Sequence, residues 1–193
     1  LVLRADKLIA IGSSTGGPGH LQKILSAIPS DFNASIVIGQ HINSIFLESI
    51  VDSLNSCCRI PVYVGRDGLI IKKPSVVFAN GIKINEVRTN EGSYILRILD
   101  KESERYSPSI NHLFSSIATL GARSSVLATL LTGIGDDGAK GLLELKNAGA
   151  HTIAESEKTA VVYGMPRAAY EIGAAREALD LDEIIKKILE FGR

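Results

Sequence analysis

The sequence predicts an α/β domain built on a mainly parallel sheet, and three observations carry that expectation. Short apolar runs alternate with segments whose apolar residues recur at helical spacing, the pattern of strand–helix–strand units. The first apolar run passes through a glycine-flanked turn straight into a helix: Ile9-Ala10-Ile11-Gly12-Ser13-Ser14-Thr15-Gly16-Gly17-Pro18. With 193 residues, 45% of them hydrophobic, the chain can form one domain with a sizeable core.

Taken in order, Lys7–Ile11 reads as a buried strand, followed by a helix over about Gly19–Ala27. Ser35–Gly39 is a second strand, and Ile45–Leu54 a second helix with apolar positions at helical spacing. Residues 61–100 differ. The β-branched runs Val62–Val64, Leu69–Ile71, Val76–Phe78 and Tyr94–Leu99 are broken by Gly, Pro and Asn, which predicts a short antiparallel excursion. Ser109 can cap a helix over about Ile110–Leu120. Ser125–Thr132 is the longest buried strand, and Gly133–Gly138 turns from it into a helix over Ala139–Ala148. Thr152–Glu155 is a short strand, Pro166 suits the first turn of a helix, and Asp182–Phe191 forms an amphipathic final helix. No repeat, low-complexity tract or linker interrupts the pattern, so residues 1–193 are expected to be a single domain.

Composition narrows the function. Twenty-one basic and 21 acidic side chains cancel, leaving no broad field to steer nucleic acid or an anionic membrane. Aromatic residues make up 5%, with no Trp, which disfavours a base-stacking surface. No apolar run reaches the length of a membrane span, and there is no signal-peptide pattern. The two cysteines, Cys57 and Cys58, are adjacent and cannot build a disulfide framework or a metal knuckle. A cytoplasmic protein without metal or cofactor is expected.

Gly12-Ser13-Ser14-Thr15-Gly16 fits the G-x-S-x-G nucleophile elbow, a sharp turn that lifts a serine hydroxyl above a sheet edge. The same small, glycine-rich turn over Gly12–Gly17 also describes a phosphate cradle at a helix N-terminus, or tight packing alone. In an open parallel sheet, sites form outside the carboxyl ends of the strands. That rule gathers Ser14, His41 after the second strand, and Asp136 and Asp137 after the long strand. His20 and His112 lie on helices, and His151 precedes a strand on the opposite edge. A serine hydroxyl needs a base to take its proton, and histidine can return that proton to a leaving group. A carboxylate then holds the imidazole tautomer. Backbone N–H donors for an oxyanion are expected from Thr15 and from the turn Gly133-Ile134-Gly135. The chain order Ser14, His41, Asp137 disfavours the α/β-hydrolase fold, whose order is serine, acid, histidine. Of the two aspartates, one could cap the following helix while the other is catalytic, and spacing does not say which.

These residues together resemble the catalytic domain of the bacterial chemotaxis receptor methylesterases, a CheB-type protein-glutamate methylesterase, over nearly the whole chain. The resemblance rests on Ile11–Gly17, Gln40-His41, Pro108–Phe114, Leu131–Ala139 and Val162–Arg167. It implies a doubly wound, three-layer (Rossmann-like) domain that hydrolyses γ-glutamyl methyl esters on receptor helices, releases methanol and also deamidates receptor glutamines. It puts the nucleophile on Ser14, the base on His41, the acid on Asp137 and the oxyanion donors on Thr15 and Ile134. Chemotaxis receptors are then the partners, without nucleic acid or membrane insertion. Ile134 stands where the family usually has Met, and Ser107 and Asn111 replace two charged residues near the expected cleft. Phe78-Ala79-Asn80-Gly81 lacks the usual Ala-Pro-Gly pattern. A receiver domain common in the family is not in this sequence, so the chain reads either as an excised domain or as a stand-alone enzyme.

The competing expectation is a Rossmann-like nucleotide or phosphate module using the Gly12–Gly17 turn. It lacks a G-x-G-x-x-G fingerprint, and Gln40-His41 stands where an acidic residue would end the second strand.

Overall fold

A computed structural model describes residues 7–81, 83–102, 106, 108–121 and 125–193. Ser107, one of the two positions read as a lost charge, lies outside the described residues.

Seven strands form the main sheet among these residues: β1 (Leu8–Ser13), β2 (Ser35–Gln40), β3 (Val62–Val64), β5 (Ser75–Phe78), β8 (Val126–Leu130), β9 (His151–Glu155) and β10 (Glu177–Leu179). Their order is β10-β9-β8-β1-β2-β5-β3, with every neighbouring pair parallel. From β1 the chain moves outward through β2 toward one edge. It then returns to β8 on the other side of β1 and continues to the opposite edge. Strand order therefore reverses between β1 and β8, where a parallel sheet opens a crevice at its carboxyl edge.

Alternation along β1 explains why both faces are covered. Ile9 and Ile11 point into a cluster with Leu21, Ile24 and Leu25 of α1 (Gly17–Ser26), Leu47 and Val51 of α2 (Ser44–Cys57), and Ile184 and Ile188 of α6 (Leu181–Phe191). Leu8 and Ala10 point the other way, toward Ile110, Leu113 and Phe114 of α3 (Ile110–Ala118), Leu142 and Leu145 of α4 (Ala139–Asn147), and Met165 of α5 (Met165–Glu171). Every residue of β1, β2 and β8 is buried, as strands covered on both faces must be. Each fully buried Leu or Ile contributes about 1.5–3 kcal/mol relative to exposure, so this double layer stabilises the sheet that carries the crevice.

The expected excursion over residues 61–100 needs a correction in extent. Only β4 (Leu69–Ile70), β6 (Lys83–Asn90) and β7 (Ser93–Glu102) form the antiparallel sheet, in the order β4-β7-β6. Val62–Val64 and Val76–Phe78 instead belong to the parallel sheet. Ser75-Val76-Val77-Phe78 is buried at all four positions, because β2 and β3 flank it and side chains cover both faces. β6 has no apolar run to announce it. It pairs with β7 through a two-residue turn at Glu91 and Gly92, both with positive φ.

The antiparallel sheet is tied to α3 by side chains. His112 Nε2 lies 2.8 Å from Glu86 Oε1, and Arg88 Nη2 donates to Glu86 Oε2 at 2.6 Å. Burial pushes the Glu86 carboxyl up, but the His112 and Arg88 hydrogen bonds outweigh it and hold the group below its ordinary range. A depressed carboxylate stabilises the fold above its unfolded pKa of about 4.3, and that stability is lost as pH falls through the folded value. The stability gap between wild type and Glu86→Gln, read from thermal melts, is expected to be full near neutral pH and to close in acid. A gap that stays constant through the carboxylate range would contradict the tie.

Candidate active site

The turn after β1 is held by backbone and side-chain bonds that leave Ser14 half-buried at the crevice. Ser14 N donates to Thr132 O at 2.9 Å, and Ser14 O accepts from Gly17 N at 2.8 Å. Gly16 occupies the N-cap of α1 at φ 84°, a left-handed conformation that side chains rarely adopt. Gln40, at the end of β2, clamps the turn from beside. Its Oε1 accepts from Ser13 Oγ at 2.5 Å, and its Nε2 donates to Ser14 O and to His41 O, each at 3.0 Å. His41 N donates to Ser13 O at 3.0 Å, so the β2 exit runs directly beside the elbow.

The loop after β8 closes the other side. A Cβ on Gly133 would stand 2.7 Å from the Cβ of Ser14, which is why a glycine is needed there. His41 Nε2 contacts Asp137 Oδ2 at 2.7 Å, and Asp137 is 1% exposed. The same carboxylate accepts from Ile110 N at 2.8 Å and Asn111 N at 2.9 Å, at the start of α3. Three donors surround this buried carboxylate at the N-terminus of α3, and a carboxylate so held orients the imidazole. His41 Nδ1 makes no hydrogen bond among the described residues.

The two aspartates divide differently from the expectation. Neither side chain caps α4, whose N-cap is Gly138 at φ 94°. Asn111 does that work from α3: its Oδ1 accepts from Gly138 N at 3.0 Å and Gly141 N at 2.9 Å. Asp137, just before α4, accepts from the first amides of α3, and Asn111 of α3 caps α4, so the two helix starts are tied together; one such cap contributes about 1 kcal/mol. Asp136 is exposed and accepts from Tyr106 Oη at 3.1 Å. Asn111 therefore turns its carboxamide into this joint. Ser109 caps α3 as expected, accepting from His112 N at 3.2 Å.

The remaining histidines stay apart from this centre. His112 is engaged with Glu86, and His151 opens β9 beside Glu177 on the opposite edge. His20 is buried in α1 with Nδ1 3.2 Å from Glu155 Oε1, an electrostatic contact without hydrogen-bond alignment. Glu155, fully buried at the end of β9, accepts from Thr132 N at 2.8 Å and Thr159 Oγ1 at 2.9 Å. Thr132 Oγ1 in turn donates to Thr15 O at 2.9 Å and accepts from Val162 N at 2.9 Å. A buried network thus supports the elbow from below. Sequence reasoning missed Glu155, Thr132 and Tyr106, and saw Gln40 only as part of a motif. A buried polar residue at a strand's carboxyl end is the signal that marks Gln40 and Glu155.

Cys57 and Cys58 end α2, away from these residues, and burial together with the neighbouring Cys57 pushes the Cys58 thiol up to about 12. Thr15 and Ile134 are exposed, and neither backbone N–H is hydrogen-bonded among the described residues. The phosphate-cradle reading of Gly12–Gly17 is not favoured. Gly17 N is turned inward to Ser14 O, and Pro18 in the first turn of α1 has no N–H, which removes two of the amides a cradle would use.

Fold and centre define a class: a doubly wound parallel α/β domain with a serine turn beside a histidine paired with a buried aspartate at its strand-order reversal. The chain belongs to the CheB methylesterase family, whose model matches residues 9–188. It is 39% identical over 184 residues to a protein-glutamate methylesterase/protein-glutamine glutaminase 1 of Oleidesulfovibrio alaskensis, covering 94% of this chain and 49% of the relative. A protein-glutamate methylesterase/protein-glutamine glutaminase of Sulfurimonas denitrificans is 40% identical over 189 residues, covering 97% and 53%. The chain spans about half the length of the curated relatives it matches. The crystal structure of the Thermotoga maritima CheB methylesterase catalytic domain superposes with a TM-score of 0.91 at 32% identity, covering 97% of this chain and 99% of that one. Among the described residues no helix is long and apolar enough to cross a membrane.

Proposed function

We propose that residues 1–193 act as one catalytic domain, a serine esterase that hydrolyses γ-glutamyl methyl esters on chemotaxis receptors and deamidates receptor glutamines. The observation that carries this reading is the 2.7 Å contact between His41 Nε2 and the buried Asp137, beside the Ser14 turn. The names of the relatives support the choice of substrate.

Ser14 is the nucleophile. Its Oγ attacks the ester carbonyl carbon while its proton passes to His41 Nδ1, the ring nitrogen that Asp137 leaves free. Asp137 fixes the tautomer that carries hydrogen on Nε2 and stabilises the imidazolium that forms. The N–H groups of Thr15 and Ile134 receive the oxyanion; one such donor is worth roughly 10²–10³ in turnover. Only the backbone of Ile134 is used, so Ile in place of Met is compatible with the role. As the tetrahedral intermediate collapses, the C–OCH₃ bond breaks and the leaving oxygen takes the proton from His41 as methanol. Water, deprotonated by the same histidine, then cleaves the acyl-enzyme to free glutamate and Ser14. With a glutamine, ammonia leaves in place of methanol.

The open, half-buried position of Ser14 suits a side chain presented on a helix rather than a small molecule drawn into a deep pocket. The test is release of labelled methanol from receptor-bearing membranes carrying labelled methyl esters. The reading predicts release that depends on added chain. No release above that of membranes alone, with methylation of the receptor verified, would overturn it.

A further inference from the structure

Tyr106 lies against the histidine proposed as the base. The two rings are stacked, with centroids 5.1 Å apart and planes 3° from parallel. The phenol hydroxyl continues past the imidazole and donates to Asp136 Oδ1 at 3.1 Å. Gly135 makes room for it: a Cβ there would stand 2.9 Å from Tyr106 Oη, and its φ of 89° is one that other residues rarely take. The tyrosine thus spans from the face of His41 to the residue that precedes Asp137 in the chain.

Asp137 holds His41 by one ring atom, Nε2. A single hydrogen bond fixes that atom's position but lets the ring plane tilt about it, and a tilt swings Nδ1 through the direction in which it must meet the serine proton. A flat ring parallel to the imidazole removes that freedom. We propose that Tyr106 is a positioning residue for the reaction, its ring setting the plane of the His41 imidazole. The inference rests on the reading of His41 as the base. The stack supplies the effect, and the Asp136 bond serves to hold the phenol over the ring. Tyr106 acts through the His41 ring, so its effect is expected on turnover and not on substrate binding.

Two substitutions separate the flat face from bulk and from the hydroxyl. Tyr106→Phe keeps the ring and loses the Asp136 bond, whereas Tyr106→Leu keeps apolar bulk and loses the face. With methylated receptor as substrate, Tyr106→Leu is expected to lower kcat by about tenfold or more, and Tyr106→Phe by less than about threefold, with KM for both within about twofold of wild type. Geometry is read independently of activity from the His41 ring protons in NMR. The stacked phenol shifts them upfield by its ring current; Tyr106→Leu should release that shift and Tyr106→Phe retain it. Measured in the Ser14→Ala background, this readout stands whether or not the chain is an esterase. Loss of activity in Ser14→Ala with no kcat change in Tyr106→Leu would overturn the inference alone. A fall in Tyr106→Phe as large as in Tyr106→Leu, or an effect confined to KM, would also overturn it. Should Tyr106→Leu not fold, Tyr106→Phe still decides. Retention of both kcat and the upfield shift supports the stack, and loss of either contradicts it.

Discussion

Replacing Ser14 by alanine is expected to lower methanol release from methylated receptor by about 10⁴-fold or more, down to the rate that binding and oxyanion donors alone can sustain. Without Oγ there is no acyl-enzyme, and His41 has no hydroxyl to deprotonate. The fold should not notice the change. Ser14 is held through its backbone, by the Thr132 O bond at its N–H and by Gly17 N and Gln40 Nε2 at its carbonyl, and no hydrogen bond involves its Oγ among the described residues. Thermal melting of Ser14→Ala should therefore coincide with wild type while initial rates collapse. A variant that keeps even a tenth of wild-type turnover would remove Ser14 from the mechanism.

The second large effect is expected at Asp137. In Asp137→Asn a single oxygen must replace two, and the amide NH₂ necessarily faces donors: His41 Nε2 and Ile110 N at the Oδ2 position, or Asn111 N at the Oδ1 position. Either the imidazole takes the wrong tautomer or the start of α3 loses its cap. The first outcome costs about 10⁴ in kcat, as in other serine–histidine–aspartate centres, and the second about 1 kcal/mol of stability. Asp136→Asn gives the contrast. The side chain is exposed, and the amide oxygen can still accept from Tyr106 Oη. A loss of less than about tenfold is expected there. Initial rates for the two variants, measured beside their melting curves, check the assignment. Equal losses would show that the pair has been assigned to the wrong member.

Much of this could be read in the sequence, because the elements that matter most are also the most strongly patterned. β1, β2 and β8 are mainly apolar runs, the mark of strands buried on both faces. Placing their carboxyl ends on one edge gathers Ser14, His41 and the pair Asp136 and Asp137 there, without choosing between the two aspartates. Lys83–Asn90 was missed because its strand character comes from pairing with β7 and packing on α3, not from its own composition. Glu177–Leu179, three residues long and half-exposed, gave no signal either. Val76–Phe78 was read as a strand and set in the wrong sheet, since a run of apolar residues states its burial but not its neighbours. The supporting polar contacts were the least legible layer. Asn111 at the start of α4, Glu155 beneath Thr132, and Tyr106 on His41 are each made between residues distant along the chain. They depend on side-chain geometry that spacing alone does not encode.

The central claim, that Ser14 is a nucleophile activated by His41 and Asp137, is tested most directly by covalent labelling with a serine-directed phosphonate followed by mass mapping of the adduct. The account predicts one adduct, on the peptide containing Ser14, absent in Ser14→Ala and greatly slowed in His41→Ala with the fold intact. An adduct on another serine, or labelling unchanged in Ser14→Ala, would contradict it.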